Sequence, residues 1–71
     1  MPDLSIVICT LNEAGAIGGV IDEIGAAFAG RSHEIIVVDD DSKDGTHDVV
    51  RQRARAGAPV RLVVRRGRGG L

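Results

Sequence analysis

Three short apolar runs, rich in β-branched residues and separated by helix-like stretches, constrain this 71-residue chain more than any other feature. The first, Leu4–Cys9 (LSIVIC), and the second, Glu34–Asp39 (EIIVVD), are nearly continuous in apolar residues. They read as strands covered on both faces. Val60–Val64 reads as a third. Between the first two, Ile17, Val20, Ile21, Ile24 and Phe28 recur at the spacing of one helix face, behind Asn12 as the expected N-cap. Between the last two, Thr46 is the expected cap of a helix turning Val49, Val50 and Ala54 inward, with Gly57 as its stop. The order β-α-β-α-β with short connections predicts a parallel sheet with right-handed crossovers, in strand order 3-2-1 or 2-1-3. Such sheets bind ligands at the carboxyl ends of their strands. Here those ends are Cys9–Glu13, Asp39–Gly45 and Arg65–Gly70.

A chain this short buries only about 60% of its unfolded surface, and small domains usually add disulfides or a metal. Cys9 is the only cysteine, so no intrachain disulfide forms, and no Cys/His cluster offers a zinc site. Cys9 is expected in the core at a strand end. The missing staples predict that the chain is a piece of a larger protein. No apolar run approaches the roughly 20 residues of a membrane span, and the N-terminus lacks a signal-peptide pattern. A reduced, cytoplasmic setting fits the single cysteine.

Charge is divided along the chain. Residues 1–50 hold ten acids and two bases, whereas residues 51–71 hold seven arginines and no acid. Either the halves neutralise each other across the folded surface, or an acidic site lies beside a basic one, as a phosphate-bearing ligand would need. Nucleic acid is disfavoured: the arginines have no aromatic partners for stacking, and the acidic half repels a phosphate backbone.

The densest signal is Asp39-Asp40-Asp41-Ser42-Lys43-Asp44-Gly45. From Asp40 it matches the first half of an EF-hand loop, but the twelfth position, which should be Glu, is Arg51, and a strand precedes it. Asp41, Ser42 and Asp44 are expected to build Asx-type turns and cap the helix. Asp39 and Asp40 fit that reading less well, because adjacent carboxylates repel unless something donates to them. At a strand end they can accept hydrogen bonds from nucleobase N–H or ribose hydroxyl groups. Gly67-Arg68-Gly69-Gly70 resembles the opening of a dinucleotide fingerprint, and no P-loop pattern occurs.

Taken in order, Thr10-Leu11-Asn12-Glu13, then Glu34-Ile35-Ile36-Val37-Val38-Asp39-Asp40-Asp41-Ser42-Lys43-Asp44-Gly45-Thr46, then Arg65-Arg66-Gly67-Arg68-Gly69-Gly70-Leu71 resemble family 2 glycosyltransferases, nearest to the dolichol- or polyprenol-phosphate mannosyltransferase branch. The resemblance covers almost the whole chain. It implies that residues 1–71 are the N-terminal part of a GT-A domain, a Rossmann-like nucleotide-binding sheet. It implies that Thr10, Leu11, Glu13, Asp39, Asp40 and Arg68 surround the nucleotide of a GDP- or UDP-sugar, with the Asp40 carboxylate on the base. Cys9, Leu11 and Asp41 stand where the family usually has Pro, Tyr and Asn; Leu11 offers an apolar contact in place of the aromatic ring.

The resemblance further implies an inverting hexosyltransferase with a polyprenyl phosphate or glycan acceptor, acting in the cytoplasm or at the cytoplasmic face of a membrane. In the family a D-x-D motif carrying Mg²⁺ or Mn²⁺ lies further along, as do the general base and acceptor site. The fragment alone is therefore expected to be inactive, with no metal site and no assigned catalytic residue. A non-catalytic nucleotide-binding or regulatory α/β module is the competing class. A receiver domain is disfavoured, because its acidic pair would end the first strand rather than the second.

Overall fold

The computed structural model describes residues 2–66. Strand β1 (Leu4–Thr10), helix α1 (Ala14–Ala27), strand β2 (His33–Asp39), helix α2 (Thr46–Arg55) and strand β3 (Val60–Val64) follow one another. The sheet is wholly parallel in the order β1-β2-β3, one of the two orders expected. Arg68 and the glycines around it lie outside the described residues.

Register explains the core. Ile6 pairs with Ile35 and Ile8 with Val37, while Ile35 pairs with Val60 and Val37 with Leu62. In-register parallel partners share a face, so these rows form one apolar surface. Ile17 and Ile21 of α1 and Val50 of α2 close over it. Ile17, Ile21, Ile35, Val37 and Val50 are each at most 1% exposed. At about 25 cal/mol per Å² of apolar area, each such side chain contributes about 1.5–3 kcal/mol by burial.

The opposite face corrects the expectation of strands covered on both sides. Val7 is 60% and Val63 37% exposed, and Cys9, expected in the core, is exposed as well. Strand alternation turns Ser5, Val7 and Cys9 away from both helices. On α1, Ile17 and Ile21 are buried but Val20 is 38% exposed, at the margin of the apolar stripe. On α2, Ala54 is exposed rather than inward, and Val50 carries the contact.

The helix termini also differ from the sequence reading. Glu13, not Asn12, is the N-cap of α1, and Gly45, at φ 96°, is that of α2, making Thr46 its first residue. Gly57, at φ 106°, stops α2 in the left-handed conformation as anticipated. Gly18 has a packing role: a Cβ there would lie 2.7 Å from the Arg53 guanidinium and 3.1 Å from Val49 Cγ1. Its absence lets Arg53 cross α1 to reach Asp22 at 2.9 and 3.0 Å.

Candidate nucleotide-binding corner

β1 and β2 end side by side, with Thr10 paired to Asp39. The turn after β1 and the acidic loop after β2 therefore start from adjacent points. The Asp40 N–H donates to the Thr10 carbonyl at 3.0 Å, extending the ladder by one step.

Beneath the loops sits Asp39. Strand alternation puts its side chain on the covered face, where it is 0% exposed. Its Oδ1 accepts from the Thr10 hydroxyl and, at 2.6 Å, from the Ser42 hydroxyl. Its Oδ2 accepts from the Ser42 N–H at 2.7 Å and faces His47 Nε2, also at 2.7 Å. Burial opposes ionisation of this carboxyl. The Ser42 and Thr10 hydroxyls, the Ser42 N–H and His47 outweigh it and hold the group well below the usual carboxylate range. Thr10, 3% exposed, also faces inward.

The acidic loop then serves the first turn. Asn12 N–H donates to Ser42 Oγ at 2.7 Å, Glu13 N–H to Thr46 Oγ1 at 3.0 Å, and Ala14 N–H to Asp44 Oδ2 at 3.0 Å. Three successive amides leading into α1 thus have side-chain partners from 30 to 33 residues away. Asn12, at φ 52°, returns one bond, its Oδ1 accepting the Lys43 N–H at 3.0 Å. A helix N-terminus ordinarily offers such amides to phosphate. Here the Asn12, Glu13 and Ala14 amides are taken by side chains of the second loop.

The outer surface of the corner is formed by other residues. Leu11 is 56% exposed and Glu13 is exposed beside it. Asp40 is half-buried, with Arg65 Nε at 2.9 Å and Nη2 at 2.8 Å from its Oδ1. Asp41, at φ 62°, pairs with Lys43 Nζ at 3.1 Å and Arg66 Nε at 3.3 Å. The Lys43 hydrogen bond leads the effects holding the Asp41 carboxyl below its ordinary range. Asp41 and Asp44 were both expected to build Asx turns; Asp44 does, its Oδ1 accepting the Thr46 N–H two residues on at 3.1 Å, whereas Asp41 pairs with Lys43 and Arg66. Asp44 does act as a cap, and its bond from the Thr46 hydroxyl leads the effects lowering its pKa. The two charge halves meet here in Arg65–Asp40 and Arg66–Asp41, between the helices in Arg53–Asp22, and across the sheet in Arg61–Glu34.

The structure therefore brings five of the six sequence-predicted site residues to one corner, in two layers. Thr10 and Asp39 lie beneath, and Leu11, Glu13 and Asp40 lie on the outside. Sequence reasoning missed His47 and the cross-loop roles of Ser42, Thr46 and Asn12. The three-residue spacing of Asp39 and Ser42 is a local turn signal that could have found that pair. Among the described residues no three His, Cys, Asp or Glu side chains converge as a metal site, and no helix is long and apolar enough to cross a membrane.

A family model for glycosyl transferase family 2 matches residues 5–71. The chain belongs to glycosyl transferase family 2. This family 2 chain is 32% identical, over a 76-residue alignment, to a dolichol-phosphate mannosyltransferase of Mycosarcoma maydis, covering 99% of this chain and 26% of that protein. Its fold matches the mannosyltransferase PcManGT from Pyrobaculum calidifontis, solved in complex with GDP-Man and Mn²⁺, with a TM-score of 0.75 and 31% identity over 97% of this chain and 22% of that one. The family 2 chain thus spans about a quarter of the length of each relative.

Proposed function

We propose that this chain is the N-terminal, nucleotide-binding part of a larger GT-A transferase. That enzyme moves a sugar from a GDP- or UDP-linked donor to a polyprenyl phosphate or glycan, with inversion, in the cytoplasm or at the cytoplasmic face of a membrane. The observation that carries the reading is the division of labour at the end of β2. Asp39 is committed to the interior, whereas Asp40 stands at the strand's carboxyl end beside exposed Leu11. An acceptor-only carboxylate beside an apolar surface suits a nucleobase, whose ring N–H groups donate and whose faces are apolar. In this reading Asp40 accepts from the base, Leu11 packs against it, Glu13 accepts from the ribose, and Arg68 approaches the nucleotide. Thr10 and Asp39 hold these groups from beneath. PcManGT, solved with GDP-Man, supports the donor class.

The Mn²⁺ in that relative supports a divalent cation in the complete enzyme. The residues described here do not suit one: Asp39 is saturated by hydrogen bonds, and Asp40 and Asp41 face arginines. The cation is assigned to a D-x-D motif outside these 71 residues, and the isolated chain is inactive.

The test is titration of GDP and UDP into the full-length protein and its Asp40→Asn variant. Asn replaces an acceptor by an amide and removes a charge-assisted hydrogen bond of about 1.5–3 kcal/mol, or about one to two decades of affinity. Wild-type affinity in Asp40→Asn would mean that the acidic loop is only a turn. Sugar transfer by the 71-residue chain alone would contradict the division of the enzyme proposed here.

A further inference from the structure

Helix α2 carries a histidine that the proposed binding surface does not use. His47 Nε2 lies 2.7 Å from Asp39 Oδ2, with the His47 side chain 15% exposed and that of Asp39 0% exposed. Each Asp39 oxygen has two partners: the Thr10 and Ser42 hydroxyls on Oδ1, the Ser42 N–H and His47 on Oδ2. Thr10 and Ser42 belong to the segments being held together. His47 alone reaches Asp39 from a helix, anchored by the buried Val50 one turn on.

A buried carboxylate that loses a donor keeps its desolvation cost and shifts toward whatever donors remain. For Oδ2 the remaining donor is the Ser42 amide. Ser42 Oγ in turn receives the Asn12 N–H at 2.7 Å. Hydrogen bonds therefore run in line from His47 through Asp39 and Ser42 to Asn12. Asn12 holds the left-handed conformation, at φ 52°, between Leu11 and Glu13. A side chain on α2 is in this way coupled to a turn following β1, and the coupling passes under the binding surface without touching it.

The geometry points to His47 as a positioning residue for the nucleotide site. By donating from Nε2 to Asp39 it fixes Ser42, and through Ser42 the backbone that presents Leu11 and Glu13 beside Asp40. This inference rests on the reading of the corner as a nucleotide site.

Two substitutions separate positioning from bulk. His47→Gln places an amide N–H near the Nε2 position and keeps the donor, whereas His47→Leu keeps volume and removes it. GDP is titrated calorimetrically into the full-length protein and both variants, and amide hydrogen exchange is followed at Asn12, Ser42, Ile35 and Val37. His47→Leu is expected to weaken GDP binding about tenfold, the size of one lost buried hydrogen bond, and His47→Gln to stay within about threefold of wild type. Exchange at Asn12 and Ser42 should speed up in His47→Leu and recover in His47→Gln, while Ile35 and Val37 keep their protection. Wild-type affinity in His47→Leu overturns the inference. So does a His47→Gln variant as weak as His47→Leu, or loss of protection throughout β2, which would make His47 a general stability residue. If the wild type binds neither GDP nor UDP, the nucleotide reading fails by itself. Exchange at Asn12 and Ser42 then still decides whether His47 holds the two loops, and an unchanged rate in His47→Leu overturns that as well.

Discussion

Asp39 ends β2 with its side chain on the covered face, 0% exposed and met by Thr10, Ser42 and His47. Asp40, one residue on, turns toward the outside, where its side chain is 32% exposed and its carboxylate meets Arg65. The residue type is the same and the strand alternation alone separates them. Burial makes the first carboxylate part of the framework, because no water can replace a lost partner. Exposure makes the second exchangeable. A solvent-accessible ion pair such as Arg65–Asp40 is worth about 0–1 kcal/mol, so a ligand donor can take Arg65's place at little cost. An adjacent acidic pair thus supplies both a support and a contact.

The largest expected effect is on the buried side of this comparison. Asp39→Ala leaves two hydroxyls, an amide and the His47 ring N–H without their acceptor, at about 1–3 kcal/mol for each group that stays buried and unpaired. A loss of about 3 kcal/mol or more in chemical denaturation of the full-length protein is expected, together with loss of nucleotide binding. Acid should act on the same group. Its carboxyl is held below the ordinary range in the folded state, against about 3.9 when unfolded. The stabilisation is therefore fully present at neutral pH and is lost as pH falls below about 4 toward the folded value. Asp39→Asn should flatten that acid limb. An Asp39→Ala protein as stable as wild type would show that the buried carboxylate is not part of the framework.

Asp40→Asn is the next in size and should act on a different observable. Its one to two decades of lost nucleotide affinity should come with a change in unfolding free energy of under about 1 kcal/mol, the upper end for exposed pairs. A drop in stability matching that of Asp39→Ala would show that both aspartates are framework.

The architecture was legible in the sequence because it rests on local periodicity. Three β-branched runs and a 3.6-residue apolar stripe between the first two are enough to give β1, α1, β2 and a parallel sheet. The number of covered faces was not legible: a nearly continuous apolar run such as EIIVVD suits two covered faces, whether or not the covering element lies within these residues. At the site, strand order pointed only to the stretches Cys9–Glu13 and Asp39–Gly45, and the family resemblance singled out Thr10, Leu11, Glu13, Asp39 and Asp40 within them. Their layering was missed, because the two carboxylates look alike until strand alternation is applied across the last strand residue. The bonds from Ser42, Asp44 and Thr46 into the first turn span 30 to 33 residues, and no local pattern encodes a contact of that length. His47 lies only eight residues from Asp39 and was overlooked for a different reason, since Asp39 was taken for a ligand contact.

Loss of the Asp41 carboxylate is expected to matter least of the three. Its carboxylate pairs with Lys43 and Arg66, whose side chains are 78% and 69% exposed. Such pairs are screened by salt. Its backbone, at φ 62°, is the more demanding feature. Asn occupies the left-handed region more readily than most residues, so Asp41→Asn removes the charge and keeps the conformation. A change of under about 0.5 kcal/mol in unfolding free energy is expected, shrinking further at high salt. Asp41→Val removes the same charge but places a β-branched residue at positive φ, at a cost of about 1–3 kcal/mol that salt does not alter. The difference between the two variants isolates backbone from charge. If Asp41→Asn proves as damaging as Asp41→Val, the exposed carboxylate is holding the loop, and the contrast between a buried framework aspartate and its exchangeable neighbours fails at this position.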